Sequence, residues 1–120
     1  MIKNMSVKTK NQRKQEIEIN AEGGNGTLYL DNLISEKDIH GKLETFTRAT
    51  LEVGASVGFH EHIGESESYY ILRGVGEYND NGELCSVYEG DVTYTPSGHG
   101  HGIKNIGEIP LEFIALIIRE

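Results

Sequence analysis

The sequence predicts an all-β protein with a single domain, and three observations predict it. Residues 43–53 alternate between small or apolar odd positions and several charged even ones, which is the period of a strand with one buried face. The chain has 15 glycines and only 2 prolines, a balance that favours tight turns between strands. Asp80-Asn81-Gly82 is typical of a hairpin turn, because Asn and Gly tolerate positive φ. A length of 120 residues allows one core but not two.

The other elements follow from turn residues and side-chain parity. Gly23-Gly24-Asn25-Gly26 marks a loop, and Thr27–Leu30 behind it predicts a short strand. The polar residues 35–40 predict a single helical turn. In residues 113–118 both alternating faces are apolar, so we expect both faces of this last strand to be covered.

Charge narrows the range of partners. The formal net charge is −8. Residues 1–15 hold five basic and no acidic side chains, so the rest of the chain has 6 basic against 19 acidic residues, a net of −13. Such a surface repels phosphate backbones, and we expect no nucleic-acid partner. The five bases predict a solvated tail; they are Lys3, Lys8, Lys10, Arg13 and Lys14.

No segment predicts export or membrane insertion. Residues 7–17 lack the apolar stretch of a signal peptide, and the longest apolar run, residues 113–118, is too short to span a bilayer. Cys85 is the single cysteine, so no intrachain disulfide can form. These features predict a cytoplasmic protein.

Two spaced signatures bring metal-binding side chains together. The first is Gly54, His60, His62, Glu67 and Gly74, separated by five, one, four and six residues. The second runs from Gly90 through Pro96, Gly98 and His101 to Asn105, separated by five, one, two and three residues. Three imidazoles and one carboxylate are donors that suit a divalent transition metal.

Strand geometry gives this spacing a physical reason. Alternate side chains share a face, so His60 and His62 would point the same way with Cα atoms roughly 6.5–7 Å apart. After a chain reversal at residues 63–66, Glu67 would open the next strand beside them, while Glu61 faces away and Glu65 falls in the turn. His101 would follow the Pro96-Ser97-Gly98 turn and close the set from across the barrel.

Both signatures resemble the two conserved motifs of the cupin superfamily, with agreement at every motif position. The resemblance implies a small antiparallel β-barrel, the jelly roll or double-stranded β-helix, over residues 24–120. It leaves residues 1–23 as a basic tail with a candidate first edge strand. It also implies one metal ion per chain, held by His60, His62, Glu67 and His101. Asn105, the glycines and Pro96 would shape the backbone.

The donor set and the strand faces suggest the metal and the groups beside it. Three nitrogens and one oxygen leave two positions of an octahedron open, which favours Mn(II) or Fe(II), with Ni(II), Co(II) or Zn(II) as alternatives. Tyr69 shares a face with Glu67 and is a candidate catalytic group; core filling is its other interpretation. His99 shares the parity of His101 and is a second candidate.

The resemblance is strongest to small bacterial single-domain cupins of the oxalate-decarboxylase-like type. It implies a metal-dependent enzyme acting on a small oxygenated carboxylic acid, by decarboxylation or isomerisation. An Fe(II) dioxygenase and a non-catalytic sugar or small-ligand binding module are the alternatives. The oxalate enzymes carry an arginine shortly before the His-x-His pair, whereas this chain has Ser56-Val57-Gly58-Phe59, and Arg48 is expected to face away from the core. The apolar outer face of the last strand predicts a homodimer.

Overall fold

The structure is a computed structural model that describes residues 7–35 and 40–120. The described part contains ten strands and two short 3-10 turns, Lys10–Gln12 and Ala21–Gly23. The strands are β1 (Gln15–Ile19), β2 (Thr27–Asn32), β3 (Leu43–Leu51), β4 (Ser56–Glu61), β5 (Glu65–Arg73), β6 (Gly76–Asp80), β7 (Glu83–Val87), β8 (Val92–Thr95), β9 (Gly100–Asn105) and β10 (Leu111–Arg119).

The strands form two antiparallel sheets. The larger has the order β1-β2-β3-β10-β5-β8 and the smaller the order β4-β9-β6-β7. The core lies between them, where Leu51, Ile71 and Phe113 of the large sheet and Tyr78 and Ile103 of the small sheet are almost fully buried. The all-β prediction is confirmed. The sheets are separate ladders rather than one closed barrel, an arrangement that fits a jelly roll.

Side-chain parity predicted the long strands well, and their ends less well. In β3 the odd residues Leu43, Thr47, Ala49 and Leu51 are buried, as expected. The strand stops at Leu51, and Val53 is exposed in the turn before Gly54, so its predicted burial is wrong. The cause is the turn itself, where Gly54 has a φ of 80°.

The turns and the first strand follow local chemistry. Asn81 and Gly82 join β6 to β7 with φ of 52° and 104°, which confirms the predicted hairpin. The predicted short strand at residues 27–30 extends to Asn32, because β2 pairs with both β1 and β3. Strand β1 forms the edge of the large sheet, within the predicted tail of residues 1–23. The predicted helical turn at residues 35–40 lies mostly outside the described residues.

A close backbone approach fixes the turn Ala21–Gly23 against strand β4. A Cβ atom at Gly58 would overlap the carbonyl oxygen of Glu22, and one at Gly24 would overlap that of Ser56. Only glycine fits at both positions. The contact places Glu22 next to the strand that carries His60. Within the described ranges, no helix is long and apolar enough to cross a membrane.

Candidate metal centre

The four predicted donors converge between the two sheets. His60 lies on β4, His62 directly follows that strand, and His101 lies on β9 opposite His60 in the strand register. Glu67 lies on β5 in the other sheet. The expectation that His101 arrives from across the barrel is therefore wrong, and Glu67 is the candidate ligand that comes from the opposite sheet. The reason is that β4 pairs with β9, while the chain changes sheet at Ile63 and Gly64.

The ring nitrogens surround one carboxylate oxygen. The distances from Oε1 of Glu67 to Nε2 are 2.9 Å for His62, 2.8 Å for His101 and 3.9 Å for His60. The Nε2 atoms of His62 and His101 are 3.2 Å apart, and all four ligand atoms lie within 4.8 Å of one another. Two ligands at right angles, each about 2.1 Å from one ion, would be separated by about 3.0 Å. The three spacings among Glu67, His62 and His101 match that geometry, whereas His60 lies farther from Glu67.

The far side of each ring has its own partner. Nδ1 of His60 lies 2.7 Å from the carbonyl oxygen of Gly58, and Nδ1 of His62 lies 2.7 Å from Oε2 of Glu65. Both partners only accept hydrogen bonds, so each Nδ1 carries the proton and each neutral ring directs an Nε2 lone pair to the centre. Lone pairs that face each other and a carboxylate require a cation. The cluster could hold a metal ion.

His101 is held differently. Its Nδ1 atom contacts the hydroxyl of Tyr78 at 2.7 Å and the hydroxyl of Thr95 at 3.0 Å. These two hydroxyls are also bonded to each other, at 2.9 Å. His101 and Thr95 are almost completely buried. This ring is consequently the most rigidly placed of the three.

Mutual hydrogen bonding shifts the protonation of the cluster when no metal is bound. The bond to Glu67 raises the pKa of His62 to about 9, with a further contribution from Glu65 and against the effect of burial. Burial alone would raise the pKa of Glu67, but hydrogen bonds from His101, His60 and His62 outweigh it and lower that pKa far below its ordinary value. A proton can therefore take the place of the cation at this centre.

Tyr69 lies against the cluster. Its ring is only 3 % exposed and stacks on His101 with centroids 4.8 Å apart; Phe113 supports it from another side at 4.5 Å. No described residue hydrogen-bonds its hydroxyl group, and the residue lines a cavity. Burial raises the pKa of this phenol well above its ordinary value, so the hydroxyl keeps its proton.

His99 is not brought to the cluster. Its side chain is exposed and does not line the cavity. Strand β9 begins only at Gly100, and Gly98 has a φ of 90°, so strand parity does not extend back to His99. Its contribution comes from the backbone, where its carbonyl accepts a hydrogen bond from the N–H of His62 at 3.0 Å. A catalytic role for His99 stays a prediction.

Sequence reasoning missed three residues that hold the rings. Glu65 was expected in the turn, yet it opens β5 and bonds to His62; its spacing of three residues after His62 is the signal in the sequence. Tyr78 is buried on β6 and Thr95 on β8. Their approach to His101 depends on how the sheets face each other, which no local pattern encodes. Asn105, as predicted, holds backbone, through bonds to the carbonyls of Leu51 and Ile109 at 3.1 and 2.9 Å.

The centre borders an open cavity of about 430 Å³. His60, His62 and Glu67 line it, and His101 lies buried behind them. Its volume is in the range of small-molecule sites. Arg48 is outside this cavity, on the outer face of the large sheet, where it pairs with Glu112. That position confirms the expectation that Arg48 faces away from the core.

Comparisons with known proteins agree with this fold. A family model described as a cupin domain matches residues 47–117. An oxalate-binding protein of Thermotoga maritima is 46 % identical over 99 residues, which cover 82 % of each chain. A solved structure of a predicted oxalate decarboxylase from Thermotoga maritima is 41 % identical and covers 95 % of this chain and 99 % of its own, with a TM-score of 0.90. An RmlC-like cupin from Shewanella frigidimarina, 19 % identical, covers 98 % and 93 % with a TM-score of 0.72 and is similar in fold alone.

Proposed function

The chain belongs to the family of cupin domains, and from that membership we propose that it is a metal-dependent enzyme acting on a small oxygenated carboxylic acid. One observation carries the proposal: three imidazole nitrogens and Oε1 of Glu67 converge at the wall of an open cavity. A divalent ion bound there would retain two positions for oxygen atoms of a substrate and would stabilise negative charge that develops on it.

The similar proteins support an acid that chelates through two oxygens. The names of two of them refer to oxalate, one as a binding protein and one as a predicted decarboxylase. We therefore propose oxalate-like acids as the substrate class, with decarboxylation or isomerisation as the reaction. Mn(II) and Fe(II) are the proposed ions, since the donors are nitrogen and oxygen without a thiolate.

The chain's own residues would orient the substrate rather than supply a strong base. Tyr69 offers a protonated hydroxyl at the cavity wall, beside the cluster, where it could donate a hydrogen bond to a substrate oxygen. Glu65 and the Gly58 carbonyl keep the rings of His62 and His60 in the tautomer that presents Nε2. The buried pair Tyr78 and Thr95 fixes His101.

A non-catalytic binding module is the second candidate, and one observation favours it. No lysine or arginine is found among the described residues that line the cavity, so a carboxylate there has no cationic side chain to stabilise a change in its charge. A binding module would take up metal and ligand without turnover.

The test uses protein stripped of metal and reloaded with Mn(II) or Fe(II). Release of carbon dioxide or an altered product from oxalate or a related acid, lost in His62→Ala, would support the enzyme. Oxygen uptake with iron and none with manganese would identify a dioxygenase instead, and tight ligand binding without turnover would identify the binding module. If neither Mn(II) nor Fe(II) binds, the proposal as a whole is refuted.

Two further variants test the candidate catalytic residues. Tyr69→Phe keeps the ring that stacks on His101 and removes the hydroxyl, so we expect lower turnover at unchanged metal content. His99→Ala is the comparison: because this side chain lies outside the cavity, we expect a much smaller loss than for Tyr69→Phe.

We also propose that the chain forms a homodimer through the outer face of the large sheet. Ile114 lies between Arg48 and Tyr70 in the strand register, at the centre of a mostly apolar surface. Its members are Phe46, Tyr70, Val92, Tyr94, Ile114, Leu116 and Ile118, of which Tyr70, Val92, Tyr94 and Ile118 are exposed. A contiguous apolar surface of this kind marks an interaction site.

Light scattering at micromolar concentration tests the dimer. We expect twice the chain mass, and a monomer for Ile114→Lys. Leu84→Lys, a matched change at an exposed apolar residue of the small sheet, should leave the mass unchanged. A monomeric mass for the unmodified protein would refute this proposal.

A further inference from the structure

The cavity beside the metal centre has a strongly acidic wall. Seven glutamates line it, against no lysine or arginine among the lining residues that the structure describes. They are Glu16, Glu18, Glu22, Glu44, Glu61, Glu65 and Glu67. The expectation that Glu61 faces away is wrong, because this exposed residue at the end of β4 also lines the cavity. The excess of one charge is a property of the cavity itself, since a ligand in it must lie within reach of these carboxylates.

Four of the seven have partners that offset their charge. Glu67 faces the three imidazoles, and the other pairs are Glu65 with His62 at 2.7 Å, Glu44 with Arg119 at 3.1 Å and Glu16 with Lys14 at 3.2 Å. Within residues 7–35 and 40–120, Glu18, Glu22 and Glu61 have no ion-pair partner. These three, which we call the free glutamates, leave uncompensated negative charge at the cavity.

Strand β1 shows that the polar lining is not a consequence of ordinary packing. Its even residues Glu16 and Glu18 line the cavity, whereas Ile17 and Ile19 point outward and are each 64 % exposed. A shift of one residue would exchange the two faces and put the isoleucines inside. The register with β2, in which Ile17 is opposite Tyr29, keeps the glutamates at the cavity instead.

Glu22 reaches the cavity from an unusual backbone conformation. It has a φ of 52°, a left-handed value that is unfavourable for a non-glycine residue. The approach of Gly58 holds this turn against β4, two residues before His60. The fold therefore maintains a strained residue in order to present a carboxylate beside the candidate ligands.

Tyr69 provides an independent sign that the cavity receives a ligand. Its side chain is 97 % buried by area, being 3 % exposed, and its hydroxyl has no hydrogen-bond partner among the described residues. No fully buried side-chain nitrogen or oxygen among the described residues lacks a partner, so this unpartnered hydroxyl is open to the cavity that Tyr69 lines. A ligand in the cavity would be its hydrogen-bond partner.

We propose that this cavity selects its ligand by charge: it accepts a small metal chelator whose outer part carries hydroxyl or ammonium donors, and it rejects one that directs a free carboxylate at the free glutamates. The inference rests on the proposed metal-bound acid and specifies its class. The two oxygens that bind the ion satisfy the metal, while donors on the remainder of the molecule satisfy the glutamates and Tyr69. A hydroxy or amino monocarboxylate fits this description, and a longer dicarboxylate does not.

The test compares three acids that share one chelating head. Lactate, glycerate and malate are all α-hydroxy acids and differ only in a distal methyl, hydroxymethyl or carboxymethyl group. Binding to the full-length Mn(II)-loaded protein is measured by calorimetry at low salt. We expect glycerate to bind most tightly and malate at least about tenfold more weakly than glycerate. Free Mn(II) would give malate the advantage, because malate offers one more carboxylate, so the expected order cannot come from the ion alone.

Variants of the free glutamates test whether these residues cause the expected order of binding affinities. In Glu18→Gln/Glu22→Gln/Glu61→Gln, we expect malate to gain at least about fivefold relative to lactate. Glu89→Gln, which removes one negative charge from an exposed turn outside the cavity, should not change the ratio, whereas each single glutamine variant of the free glutamates should change it in the same direction as the triple variant. Malate binding as tightly as glycerate to the unmodified protein, an unchanged ratio in the triple variant, or no binding of any of the three acids would each overturn the inference. Failure to take up Mn(II) would instead refute the proposed function.

Discussion

Glu65 is expected to set the metal affinity of the centre without touching the metal. Its Oε2 atom lies 2.7 Å from Nδ1 of His62, and its side chain is 21 % exposed, so the bond is only partly screened by solvent. Glu65→Gln keeps an acceptor and removes the charge. A charge-assisted hydrogen bond contributes about 1.5–3 kcal/mol and a neutral one about 0.5–1.5 kcal/mol. The difference between the midpoints of these ranges, about 1.2 kcal/mol, corresponds to a roughly eightfold higher Kd for the metal.

Two measurements check this value. Competition with a chromophoric chelator for Zn(II) or Co(II) gives the affinity of each variant, and we expect Glu65→Ala to lose about 100-fold, the upper end of the range for such supporting residues. Nitrogen NMR of the metal-free protein reports the protonation of His62, whose pKa should fall below its value of about 9 in both variants. The charge-matched control, Glu89→Gln, should bind metal as the unmodified protein does. If Glu65→Gln and Glu89→Gln change the Kd equally, the reasoning fails.

Three other predictions concern stability and pH. Asn105→Ala leaves two backbone carbonyls without their donor and should lower the free energy of unfolding by about 3 kcal/mol, measured by urea titration against exposed Lys104→Ala. Gly58→Ala should displace the turn at Glu22, which proteolysis would detect as new cleavage at residues 20–25, and an unchanged pattern would contradict the packing. Because the pKa of His62 is raised to about 9, protonated His62 stabilises the metal-free fold, fully below pH 6.5, and this stabilisation is lost as pH rises through about 9. The melting temperature of the metal-free protein should therefore fall across that window. The increase in melting temperature on adding metal should grow over the same range, because the metal no longer competes with a proton.

The candidate ligands His60, His62 and Glu67 could be predicted in part from local information, and the resemblance to the cupin motifs completed the set with His101. Alternation along one strand puts His60 and His62 on the same face, and the same rule places Glu67 with Tyr69. Strand β3 obeyed it as well, since burial on one face is decided by each residue's own position. Each of these predictions requires only the sequence of a few neighbouring residues on one strand.

The failures occurred where a second strand had to be known. Parity states which face His101 occupies but not that β9 lies beside β4 with His101 opposite His60, so the roles of His101 and Glu67 in closing the site were exchanged. Parity also needs an uninterrupted strand, and the turn at Gly98 removed His99 from its reach. Tyr78 was missed because its contact with His101 joins residues 23 positions apart.

At Gly58 an arginine is excluded by the same contact that places Glu22 at the acidic wall. At Gly58 even a Cβ atom would overlap the carbonyl of Glu22, so no larger side chain fits there while the turn Ala21–Gly23 holds its place. The turn that excludes a side chain at this position brings a carboxylate to the cavity through Glu22. An arginine at residue 58 and Glu22 in its present place are thus mutually exclusive. Changing Gly58 alone to arginine should disrupt the turn rather than create an anion site, because the space must first be vacated by residues 21–23.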